Sequence, residues 1–74
     1  MKKYVTELSK EQRVVYEYLI KNLNDDGSNI FDLLVEISEF YPSVSDKVLD
    51  AFEGLSSKEK IEVIHFATKN VMSK

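Results

Sequence analysis

His65 is the only histidine in the 74-residue chain, and there is no cysteine. Glu62 stands three residues before it. That E-x-x-H spacing puts a carboxylate and an imidazole on one helix face, as in carboxylate-bridged di-iron bundles. Those sites need two such motifs and two further glutamates, whereas this chain holds a single motif. A second candidate is the stretch 22–33. With Gly27 at position 6 of a calcium loop, Asn22, Asn24 and Asp26 fall at positions 1, 3 and 5. Position 12, which needs a bidentate carboxylate, then falls on Leu33, and position 8 falls on Asn29, where an apolar residue is usual. The stretch therefore reads as an interhelical turn, and neither pattern predicts a metal.

Two acidic stripes, Asp32–Glu36–Glu39 and Asp46–Asp50–Glu53, repeat at i, i+4, i+7. Paired carboxylates can act as acid and base, but only where burial or a neighbouring charge moves a pKa, and exposed helix faces do neither. With two glycines in the chain and no Gly-x-x-x-x-Gly-Lys, no phosphate cradle is expected. The sequence thus points to a protein that is not an enzyme, with no catalytic, cofactor-binding or metal-binding residues.

The net charge of −3 is segregated. Residues 1–21 balance at +2, residues 22–56 at −7 and residues 57–74 at +2. Such a distribution bears on association and solubility rather than on fold. A chain this short buries only roughly 60% of its unfolded surface, and without cysteine it must be held by packing alone. It reads as one small domain over residues 1–74, with 1–7 a loose arm from which Tyr4, Val5 and Leu8 could cover one end of the core. No run approaches the ~20 apolar residues of a membrane span. The start, MKKYVTELSK, lacks the apolar core of a signal peptide. A cytoplasmic protein is expected.

Four helices are expected to carry these residues, near 10–23, 29–41, 45–53 and 57–71, in a compact all-α domain. Ser9 and Gln12 form one capping box and Ser56 and Glu59 another. Val15, Tyr16, Leu19, Ile20 and Leu23 mark the buried face of the first helix. The stretch 30–42 looks like the mechanical centre, because residues 30–41 hold eight apolar or aromatic side chains in twelve positions and Pro42 ends them. Within it Ile30, Leu33, Leu34, Ile37 and Tyr41 should face the core, with Phe40 beside them. Val44, Val48, Leu49 and Phe52 should face inward from the third helix. Gly54 is the expected C′ residue, with Leu55 folding back onto Leu49. In the last helix Ile61, Ile64, Ala67 and Val71 have burial spacing, with Val63 adjacent. The segment 61–66 is also rich in strand formers, yet the capping box favours helix.

Some apolar residues look surplus to a four-helix core: Val14 and Tyr18, Phe31 and Val35, and Phe66. With the stripe Asp32, Glu36 and Glu39 they are the candidate partner-binding residues. The expected function is a helical protein–protein interaction or regulatory module that binds another protein or a second copy of itself. One alternative is a winged-helix or helix-turn-helix nucleic-acid binder, opened by residues 8–23 and read through 42–63. Its recognition helix would carry Asp46, Asp50 and Glu53 against Lys47 alone, which repels phosphate and makes nucleic acid an unfavoured partner. A further alternative is an acidic inhibitor that mimics nucleic acid.

Overall fold

Serine hydroxyls start three of the four helices in the computed structural model, which describes residues 7–73. The elements are α1 (Lys10–Asn22), α2 (Ile30–Ser38), α3 (Asp46–Glu53) and α4 (Ser57–Met72), an all-α four-helix domain. Ser9 accepts from the Gln12 amide, Ser45 from Val48 and Ser56 from Glu59. At Ser9 and Ser56 the third-position side chain also reaches back to the cap amide, so both expected capping boxes form. Residues 61–66 lie inside α4, and the described residues contain no strand, so a winged-helix fold would have no wing. Of the expected arm, Tyr4 and Val5 lie outside the described residues, while Leu8 is buried.

The core is built from short pairs at helical spacing. Val15 and Leu19 come from α1, Leu33 and Ile37 from α2, Val48 and Ala51 from α3, and Val63 and Ala67 from α4. Val44 and Leu55, in the turns flanking α3, complete it. The central element is α1, not α2: α1 packs along both α3 and α4, whereas α2 rests chiefly on α3. The expectation that 30–42 is the mechanical centre is therefore corrected. Apolar content predicts a demand for burial, but which helix sits in the middle depends on how the four pack.

Phase also differs on α4. Ile61 is 66% exposed, and Val63 with Ala67 takes the buried position. Lys60 shares that side and lays its ammonium over the Phe52 ring, 4.5 Å from the centroid. Ile64 and Val71 are half-buried, as are Tyr16, Ile20, Leu23, Leu49 and Phe52. Gly54 caps α3 with ordinary right-handed angles (φ −76) rather than the left-handed form expected of a C′ glycine.

Gln12 does more than cap. It is fully buried, accepts from the Ser9 amide, and donates through Nε2 to the Glu59 carbonyl and to Glu62 Oε1. One side chain thereby ties the start of α1 to the first two turns of α4. The turn between α1 and α2 is similarly cross-braced. Asn29 does not cap α2 with its side chain; it accepts from the Asn24 amide and donates to the Asn22 carbonyl at the end of α1. Gly27 takes φ +70, and a Cβ there would meet Val71 at 3.3 Å.

Candidate partner-binding surface on the second helix

The end of α2 departs from expectation in a way that shapes the surface. The helix stops at Ser38, not at Tyr41. Phe40 adopts φ 57 and is the only non-glycine residue with positive φ among the described residues. The Tyr41 amide then donates back to the Glu36 carbonyl, the six-to-one bond of a Schellman close. Left-handed backbone disfavours a residue with a Cβ, and an aromatic one especially. The reversal swings Phe40 and Tyr41 out of the core: they are 52% and 43% exposed, which corrects the inward placement of both.

At roughly 100° per residue, Leu33 and Ile37 define the buried side of α2. Ile30 and Leu34 are half-buried at its edge, which corrects their expected place in the core. Phe31 and Val35 follow further round, 77% and 46% exposed, with Asp32 and Glu39 beyond them. The apolar arc spans about 200° of the helix, twice the width needed to face a core. Six large apolar side chains are exposed among the described residues, and four of them fall within residues 31–41.

The candidate residues do not form one site. Phe31 and Val35 with Asp32 and Glu39 make the outer face of α2. Val14 and Tyr18 are half-buried and pack against the core, so they are not surplus to it. They line a separate open groove of about 370 Å³ between α1 and α3, with Glu17, Lys21, Ser45 and Lys47. Glu36 is half-buried and does not line that groove. Burial raises the Tyr18 pKa above its ordinary value, and the nearby negative charge of Glu36 raises it further. Phe66 is half-buried on α4, its ring edge-on to His65 at 5.4 Å.

Residues 22–33 are committed to structure. Asn24 and Asn29 hydrogen-bond within the turn, Asp26 accepts from the Ser28 amide, and Leu33 is core. That amide bond holds the exposed Asp26 carboxyl below its ordinary 3.8. Glu62 of the E-x-x-H pair faces Gln12, and the described residues contain no cluster of three or more potential metal ligands.

A notch of about 180 Å³ beside the first turn of α2 has no counterpart among the sequence expectations. Leu23, Gly27, Ile30, Val71 and Met72 line it, and Asp26 stands at its edge. Met72 is 85% exposed. Gly27 is the signal that could have pointed there, since its missing side chain is what leaves the turn so close to Val71. No helix among the described residues is long and apolar enough to cross a membrane. No family model matches the chain, and no curated protein or solved structure matches it either.

Proposed function

We propose that the protein is a non-enzymatic helical interaction module that docks a partner protein on the outer face of α2. The observation that carries this reading is the concentration of exposed apolar side chains in residues 31–41, on the most apolar helix of the fold. A solvated helix has no use for Phe31 at 77% exposure one turn from Val35, with Phe40 and Tyr41 exposed past its end, whereas exposed apolar surface is how docking sites are built. The absence of enzymatic chemistry is supported by what the reactive groups already do. Glu62 accepts from Gln12, and the His65 ring packs on Phe66 at the surface. A nucleic-acid reading is opposed by α3, whose outer face presents Asp46, Asp50 and Glu53.

Affinity capture with three baits tests the proposal: the wild type, Phe31→Ser/Val35→Ser, and Ile61→Ser as a control exposed apolar site. A partner held by the wild type and the control but lost by the double variant is the expected outcome. Partners captured equally by all three would refute the assignment of the surface.

A further inference from the structure

We infer that the partner of the α2 face is a cationic amphipathic helix and not a second copy of this chain. The inference rests on the docking role proposed above and specifies what docks. No Lys or Arg occurs between Lys21 and Lys47, so α2 and both its flanking turns carry only negative side chains. The apolar strip Phe31–Val35 is bordered by Asp32 and Glu39, and the notch beside Ile30 has Asp26 at its edge. A two-fold contact places the same patch of each copy on the other. Here it would bring carboxylates against carboxylates while burying the apolar strip, with no cation of its own to offset them. A partner with Lys or Arg flanking an apolar stripe meets both demands.

Shape favours a helix in that role. Phe31 and Val35 are exposed one turn apart on α2, the spacing at which a facing helix packs. The nine residues of α2 run about 13 Å, long enough for anchors at i and i+4 or i+7 of a facing helix. Phe40 and Tyr41 add exposed aromatic surface at the C-terminal end of the helix.

The test uses the full chain and three 18-residue peptides: an amphipathic Leu/Lys helix, the same helix with Glu for Lys, and a scrambled Leu/Lys sequence. Affinity is read by calorimetry at low and raised salt, and location by amide chemical shifts. The Leu/Lys helix should bind at least about tenfold more tightly than either other peptide, weaken with salt, and shift residues of α2. Asp32→Lys/Glu39→Lys should move the preference toward the Glu peptide, with Glu39→Lys alone as the variant that leaves the first turn of α2 intact. Equal binding of the Lys and Glu helices, both lost in Phe31→Ser, would overturn the cationic partner yet leave the docking face standing. So would a concentration-dependent dimer abolished by Phe31→Ser. Binding of the scrambled peptide as well as the amphipathic one, unaffected by Phe31→Ser, would overturn both the partner and the face. Failure of every peptide to bind would overturn the cationic helix, leaving the face to be judged by capture.

Discussion

Gln12 and Phe40 are the two residues whose individual behaviour departs furthest from their types. A glutamine at the third position of a capping box is ordinarily a surface residue, yet Gln12 is fully buried with its amide shared between two helices. Gln12→Leu keeps the volume but strips the Ser9 amide and the Glu59 carbonyl of a partner. It should cost about 1–3 kcal/mol in a urea or guanidinium titration. Gln12→Glu should cost more at neutral pH, because it points a second carboxylate at Glu62, and the excess should shrink on acidification. At Phe40 the informative comparison is between two variants that both lose the ring. Phe40→Gly should be more stable than Phe40→Ala by about 1 kcal/mol, the cost of placing a Cβ in left-handed backbone. Equal stabilities would mean that the turn relaxes to ordinary angles once the ring is gone. The S-x-x-Q motif is legible in the sequence, because its partners are three residues apart. The burial of its glutamine is not, because it arises only when α4, far along the chain, lies across it.

At the scale of elements, the helices begin where local chemistry says they begin. Ser9, Ser45 and Ser56 cap α1, α3 and α4, and these boundaries follow from residues within three positions of one another. The two capping boxes should nevertheless differ in worth. Ser56→Ala should cost about 1 kcal/mol. Ser9→Ala should cost more, since it also loosens the side chain that braces α1 to α4. Helix phase was legible only in part. On α1, of the expected face Val15, Tyr16, Leu19, Ile20 and Leu23, Val15 and Leu19 are buried and the other three half-buried. On α4 the apolar residues are spread around the helix, so periodicity alone could not choose between Ile61 and Val63. Packing settles it in the tertiary structure by enclosing Val63 with Ala67, and Lys60 on the same side stacks on Phe52. For α2, Leu33→Ala should cost about 2–5 kcal/mol and Leu34→Ala clearly less, because only Leu33 is fully enclosed. Equal losses would place Leu34 in the core after all.

For the whole molecule, the acidic middle and the tightly bonded turn between α1 and α2 make a prediction about pH. Asp26 accepts from the Ser28 amide, which lowers its pKa in the folded state relative to the unfolded chain. A group with a depressed folded pKa stabilises the fold above its unfolded value and loses that contribution as pH falls through the folded one. Stability should therefore decline on acidification below the ordinary aspartate value of 3.8, and Asp26→Ala should decline less steeply over the same range. Tyr18 acts at the other end. Its raised pKa favours folding below its ordinary 10.0, and that contribution is lost as pH rises past it. Glu36→Gln should lower the Tyr18 titration midpoint, read from tyrosinate absorbance.

Taken alone, the sequence determined the fold class, the number and starts of the helices, the charge segregation and the surplus of apolar residues in 30–41. All of these follow from interactions among near neighbours or from counting side chains. Only the tertiary structure decided where the surplus lies. It placed α1 at the centre, drew Val14 and Tyr18 onto the core, and left Phe31, Val35, Phe40 and Tyr41 exposed. The physical reason is that burial belongs to pairs of surfaces. A helix with an apolar arc of about 200° can enclose only the part that its neighbours cover, and α2 rests chiefly on α3.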